Sequence, residues 1–381
     1  MSIFVDLHIL QSLPPSCVNR DDTGSPKRAV YGGVDRARVS SQAWKHATRV
    51  AFADYLDPEK IGTRTLYAIE LIVEKVQESG SSYEPAEIAK AAATVLSKAG
   101  IKTEKAKERK NPEGEKVSDS PYPISKFLLF ISPLQVEALA KLTVSVLEGE
   151  KISPKDARAA ASEDTAVDMG LFGRMVADEP SLTVDAACQV AHALSVSGAN
   201  TEFDYFTAVD DKPRADRFGA GMIGTVEFVS ATFYRYATVN MTVLAENLGS
   251  MEAAEEALSA FIRAFTTSMP TGKQNTFANR TRPGFVAAQV RDDQPVNLVG
   301  SFETPIESDN GIMSAAVASL VNTSIDEDAQ FGTKPVGTSF LATKDALKGE
   351  AAEALEAWGK PSTLDEVITA TLSAIRSASE V

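Results

Sequence analysis

Cysteine is nearly missing from this chain. Cys17 and Cys188 are the only two in 381 residues, so no disulfide framework holds the fold and a reducing cytoplasm suits it. Histidine is almost as scarce. His8, His46 and His192 stand far apart, no Cys/His cluster has metal-ligand spacing, and neither a metal nor an organic cofactor is expected. No run of about 18 apolar residues occurs, which argues against a membrane span. The opening MSIFVDLHILQ lacks a basic n-region and a small-residue cleavage site, so it does not read as a signal peptide. No solenoid-type repeat is visible. Positive charge is also short: 38 Lys and Arg face 52 Asp and Glu, a formal net charge of −14. Such a protein avoids indiscriminate contact with nucleic acid. Hydrophobic residues, at 44%, are ample for a core, and the length is long for one domain and short for three.

What basic charge exists gathers in one place. The stretch from Cys17 to Arg49 holds seven Lys/Arg against Asp21, Asp22 and Asp35. It includes Arg20, Lys27, Arg28, Arg36 and Arg38 in a glycine-punctuated loop that runs into a helix. Ser40 or Ser41 supplies the N-cap. The spacing i, i+3, i+7 puts Gln42, Lys45 and Arg49 on one face, and Trp44, Ala47, Val50 and Ala51 form the apolar stripe. Arg20, Lys27, Arg38, Ser40, Gln42, Lys45 and Arg49 read as a polyanion track. The cations neutralise phosphates, and Ser, Gln and helix-terminal amides fix a backbone in register without reading sequence. The plainer reading of the same run is a solvated amphipathic helix beside a charged loop, and the residues alone leave both open.

Along the chain, 3–11 reads as a strand, 40–56 as a helix ended by Asp57-Pro58, and 63–100 as helical. Residues 102–120 read as an exposed charged loop. Helices are expected over 132–148, 153–162 and 181–195. Residues 197–224 mix Gly, Pro, charge and aromatics without period, and so long an irregular excursion points to function or disorder. Residues 225–243 are strongly β, and 251–268 form an amphipathic helix. A hairpin is expected over 284–290 and 296–302, with later helices near 311–322, 343–358 and 363–378. The order of elements predicts an α+β core with two large insertions. Residues 303–381 hold thirteen acids and five bases, a surface suited to solvent or a protein neighbour.

Several stretches, in order, resemble the CasC-type backbone subunits of the type I-E CRISPR surveillance complex, Cascade. They are N-R-D-D from Asn19, Lys27, Tyr31 to Gly33, R-x-R-V-S-S-Q from Arg36 to Gln42, and then Lys45 and Arg49. The order continues through Gly62-x-Arg64-Thr65, Gly173-Arg174-Met175, Ala191-His192-Ala193, Phe206 to Asp211, Phe233 to Ala237, and Gly272-Lys273-Gln274-x-Thr276. The match spans residues 1 to about 280 and fades beyond. The resemblance implies an RRM-like (ferredoxin-like) palm with a helical fingers insertion and an extended thumb loop. Its bounds would be 1–58 for the first part of the palm, 59–181 for the fingers, 182–196 for palm again, 197–224 for the thumb, and 225–381 for the rest of the palm with C-terminal helices. The base-stacking RNP signature of ordinary RNA-binding RRMs is absent.

The resemblance also implies a non-catalytic subunit that polymerises along the spacer of a crRNA and presents it to the target DNA strand. Expected partners are crRNA, copies of itself, the large, small, 5′-handle-binding and crRNA-processing Cascade subunits, and indirectly a helicase-nuclease. It adds Arg174 and Met175 to the RNA contacts, where the residues alone favour a packed helix end. It adds Lys273 and Gln274, where a polar turn is an adequate reading. It makes Phe206, Lys212, Arg214, Arg217, Phe218 and Met222 thumb residues. An RNA endonuclease using Asp22 or His46 is the alternative, rejected because Asp21 and Asp22 more simply pair with nearby cations; a general RNA chaperone is the third reading. His192 reads as a packed helix histidine.

Overall fold

In the computed structural model, residues 2–110, 116–208, 222–309 and 311–379 are described, without the side chains of 109, 110, 116 and 117. The chain divides into two compact units. One comprises Met1–Phe52, Gln189–Met241 and Leu258–Val381; the other comprises Ala53–Cys188 and Thr242–Ala257.

The first unit is an antiparallel sheet flanked by helices. Its strands run in the order Gly337–Ala342, Phe285–Arg291, Phe4–Ser16 (β1), Met222–Asn240, Ala193–Ser195, Val34–Val39 (β3) and Arg28–Tyr31 (β2). The architecture is α+β. β1 is central, paired on one side with Met222–Asn240 and on the other with Phe285–Arg291. Both of its faces are buried, which is why its sequence alternates imperfectly. Leu10 and its cross-strand neighbours Tyr234 and Phe285 pack under helix Ile312–Phe331 through Val317, Leu320 and Val321. On the opposite face lie helix Ser41–Ala51 (α1), through Trp44, and Phe261 and Phe265 from the helix Met251–Thr267.

Arg235 and Arg291 are buried in this sheet. Arg235 lies 3.7 Å from the Trp44 ring centroid and 4.6 Å from that of Phe265. It donates to Gln11 Oε1 at 2.6 Å and to the Phe265 carbonyl. Burial lowers its guanidinium to about 9. Arg291 reaches Asp328 at 2.9 Å and Asp6 at 3.6 Å. Asp6 also accepts from Tyr236 Oη and Val296 N–H. Burial outweighs these bonds and pushes the Asp6 carboxyl up to about 6, whereas it drives His8 down to about 3.

The second unit is built on helices Ala68–Glu78, Pro85–Lys98, Pro133–Leu147 and Pro154–Ser162, which share one apolar core. Ser132 and Ser153 each close a capping box and are followed by proline at the first helical position.

Several expectations fail for local reasons. Residues 63–100 are not one helical stretch: Thr63–Thr65 is a strand, and Gly80, at φ +82°, ends the first helix. Residues 181–195 are not helical; a 3-10 turn at Pro180–Leu182 is followed by the short strands Cys188–Val190 and Ala193–Ser195. The second arm of the expected hairpin, 296–302, holds a 3-10 turn at Leu298–Phe302, and Phe285–Arg291 pairs with β1 and Gly337–Ala342 instead. Residues 343–358 hold only Glu350–Leu355 as α-helix. Strand pairs Thr103–Glu104 with Ile124–Ser125 and Glu108–Lys110 with Lys116–Ser118 occupy the expected 102–120 loop and its flank.

Candidate nucleic-acid interface

In the first unit, a short loop ties the start of α1 to the sheet edge. Ser40 caps α1, its Oγ accepting from Ala43 N–H at 3.3 Å. The Ser40 N–H donates to Asn19 Oδ1 at 2.9 Å, and the Asn19 carbonyl accepts from Lys27 N–H at 3.0 Å. The Lys27 carbonyl in turn accepts from Arg38 N–H at 2.9 Å. Asn19 therefore joins loop, strand and helix. Sequence reasoning used it only as part of a motif; the cue was its place at the head of N-R-D-D.

Between them, the loop closes on itself. The Asp21 carboxylate accepts from Thr23 N–H, Thr23 Oγ1 and Ser25 N–H at 2.7 to 3.0 Å. These bonds, that of the Thr23 hydroxyl foremost, hold its carboxyl below the usual range. Asp21 thus serves a turn, and among the described residues it does not pair with a cation as expected. Asp22 is exposed.

α1 buries Trp44, Ala47 and Thr48 and turns Gln42, Lys45 and Arg49 the other way. Val50, expected in the apolar stripe, is 64% exposed, and Thr48 takes its place with Oγ1 donating to the Trp44 carbonyl at 2.9 Å. No acid occupies the first turn of α1, so nothing there competes with a phosphate for the positive helix end.

Gly272 packs on the start of the same loop. A Cβ on it would meet the Val18 carbonyl oxygen at 2.3 Å. Only glycine permits this seat, which holds the next residues beside the loop. Lys273, at φ +51°, and the single helical turn Gln274–Phe277 follow. Arg20 and Lys273 both lie close enough to Cys17 to oppose the upward push that burial gives its thiol. Phe277 packs against Phe228 at a centroid distance of 5.9 Å.

Glu202–Ala208 pairs with the outer half of Met222–Asn240 as a projecting hairpin. Phe206 and Met222 share one face, where Phe206 covers Gly224 so closely that a Cβ there would meet its ring at 2.5 Å. Phe203, Tyr205 and Ile223 are also exposed on this hairpin, and sequence reasoning did not single them out. Lys212, Arg214, Arg217 and Phe218 lie outside the described residues.

Two arginines are not where the basic pattern puts them. Arg36, counted in the basic stretch, is 0% exposed. It donates to the carbonyls of Ser195, Phe302 and Glu303 and stacks over Tyr31. Arg174, expected to contact RNA, is 4% exposed in the helical unit. Its guanidinium donates to the carbonyls of Leu182 and Phe130 and to Gln135 Oε1, and burial lowers it to about 10. It is a strut between chain segments and does not present its charge. Its neighbour Met175 is 82% exposed.

His192 is not a packed helix residue either. It is exposed between two short strands, with Nδ1 at 3.0 Å from Arg38 Nη1. Burial first, then Arg38 and Lys27, hold its imidazole below its ordinary range. The first unit contains Arg20, Lys27, Arg38, Ser40, Gln42, Lys45, Arg49, Lys273 and Gln274, while Arg174 and Met175 belong to the second.

An antiparallel α+β protein that gathers its exposed basic loop, helix and strand edge in one unit and projects an apolar hairpin is the class so defined. The chain belongs to the CT1975-like protein family, which it matches over residues 5–370. Among solved structures it is similar to a chain of a CRISPR RNA-guided surveillance complex in a pre-nicking state, with 33% identity, a TM-score of 0.80, and coverage of 97% of this chain and 100% of that one. It is also similar to a chain of another CRISPR RNA-guided surveillance complex, with 28% identity, a TM-score of 0.70, and coverage of 96% and 99%. No curated protein matches it.

Proposed function

We propose that the chain is the crRNA-binding backbone subunit, of the CasC type, of a type I-E CRISPR Cascade complex. The observation that carries this reading is the assembly of Lys27, Arg38, Ser40, Gln42, Lys45 and Arg49 on one loop–strand–helix run, with Lys273 and Gln274 seated beside it through Gly272. The full-length likeness to chains of surveillance complexes supports it. In this reading the sheet unit is an RRM-like palm, the helical unit the fingers, and residues 197–224 the thumb.

Cations on a fixed helix and strand read phosphate and shape, leaving sequence recognition to pairing between guide and target DNA. A contact between unlike faces of successive copies extends such a subunit into a helical filament along the spacer. Partners are crRNA, the target strand through the guide, further copies and the other Cascade subunits. The subunit works in the cytoplasm, needs no metal and performs no cleavage. Arg174 is withdrawn from the RNA contacts; Met175 remains one.

The test is binding of the purified chain to two single-stranded RNAs of unrelated sequence over a salt series. Equal affinities that fall steeply with salt, with both RNAs left intact, are expected. Strong preference for one sequence, or cleavage of either RNA, contradicts the proposal.

A further inference from the structure

We infer that His192 is a further contact of the RNA track, forming with Arg38 and Lys27 a seat for one phosphodiester group beside the start of α1. This rests on the RNA-binding reading above.

The seat is built from three elements. Ala193 pairs with Val39 and Leu194 with Arg38. The same register, run one step on, sets His192 opposite Ser40, the N-cap of α1. Side chains two apart on a strand share a face, so His192 and Arg38 meet, with Nδ1 and Nη1 3.0 Å apart. A guanidinium only donates, so Nδ1 is the acceptor, the ring is neutral and its proton sits on Nε2. Arg38 Nε donates to the Arg28 carbonyl at 3.2 Å. The guanidinium is thus pinned at two points, and among the described residues Nη2 has no hydrogen-bond partner.

The charged groups that act on the imidazole are both cations, Arg38 from β3 and Lys27 from the turn before β2. From the long strand the neighbouring group is the Tyr236 carbonyl, which accepts the Ala191 N–H at 2.9 Å. Partial burial and the two cations lower its imidazole from the ordinary range, in the same sense as the neutral ring that the Arg38 bond requires. Nε2–H is then a donor that adds direction without charge. Among the described residues no ion pair engages Lys27 or Arg38, so these two positive charges meet no protein anion there. A phosphodiester supplies one negative charge and several acceptor oxygens, which suits two cations and a neutral donor.

The experiment titrates the full chain with a fluorescent oligouridylate over a salt series. His192→Ala is expected to weaken binding roughly ten- to a hundredfold, the worth of a hydrogen bond to a charged group. It should leave the salt slope unchanged, because no charge is lost. Arg38→Ala should lower the slope by about one. His192→Asn, whose amide oxygen can stand in for Nδ1 but which has no donor at the Nε2 position, should recover only part of the affinity. In an Arg38→Ala background most of the His192→Ala loss should vanish. A slope lowered by His192→Ala would overturn the neutral contact. An equal loss in both backgrounds, or none at all, would overturn the seat while leaving RNA binding intact. Failure of the unaltered chain to bind the probe at low salt overturns the RNA reading itself.

Discussion

Gly272→Ala tests how the Lys273 turn is held against the basic loop. The added Cβ would sit 2.3 Å from the Val18 carbonyl oxygen, 2.6 Å from the Val18 carbonyl carbon and 2.9 Å from the Cys17 carbonyl oxygen. All three are backbone atoms, so no side chain can rotate away. Restoring ordinary contact needs a shift of about 1 Å, and overpacking of this kind costs about 1–3 kcal/mol. The turn is short and surface-exposed, whereas Cys17 is buried at the end of the central strand, so the turn is the part that moves. Two readouts follow. The melting midpoint should fall by a few degrees, since roughly 1 kcal/mol shifts a domain of some 200 residues by about 2–4 °C. RNA affinity should also fall, with the salt slope lower by up to about one as Lys273 leaves the track. An unchanged melt with unchanged affinity would refute the argument, because it would mean that Gly272 is not packed on Val18. A lower melt with full affinity would keep the packing and remove Lys273 from the contacts.

Lys45→Ala combined with Arg49→Ala should weaken RNA binding alike for every spacer and lower the salt slope by about one to two; a loss that varied with spacer sequence would contradict backbone reading. Asp22→Asn should leave RNA uncut and target DNA binding intact, and wild-type RNA cleavage that disappears in this variant would restore the nuclease alternative. Phe206→Ala with Met222→Ala should leave the melt unchanged, because the hairpin stands clear of the core, yet reduce multi-chain assembly on RNA; normal assembly would remove these residues from the thumb contacts. Acid stability should report the buried polar cluster. His8 charges in the unfolded chain near 6.5 but natively only near 3, so it withdraws stability as pH falls through that window. Asp6 takes its proton natively near 6 and unfolded only near 3.8, so it returns stability between those values. Denaturant melts from pH 7 to 4 should therefore show Asp6→Asn losing stability more steeply than the unaltered chain and His8→Asn less steeply.

Local pattern served well where one face is wet. α1 was legible because its cap, its buried Trp44 and its polar face follow one period, and the helices from 133 and 154 were announced by Ser-Pro starts. Pattern failed where tertiary pairing decides. The segment 181–195 carries Ala-rich, helix-compatible residues, yet Ala193–Ser195 is fixed between β3 and the long strand. The charge pattern identified the basic region but could not sort surface cations from buried ones. Arg36 and Arg174 sit in sequence like phosphate contacts, and only their carbonyl partners, far off in the chain, show them to be struts. Asn19 and His192 were missed for the mirror-image reason. Each is defined by a partner, Ser40 or Arg38, that sequence separation hides. The membership of 242–257 in the helical unit also has no local signal.

The most direct measurement is the mass of the assembly formed with guides of graded spacer length. The account predicts that RNA copurifying with the chain is crRNA, and that the number of chains bound rises in fixed steps as the spacer lengthens, for any spacer sequence. A constant number of chains whatever the spacer length, or recovery of the chain with unrelated RNA in no fixed ratio, would contradict it.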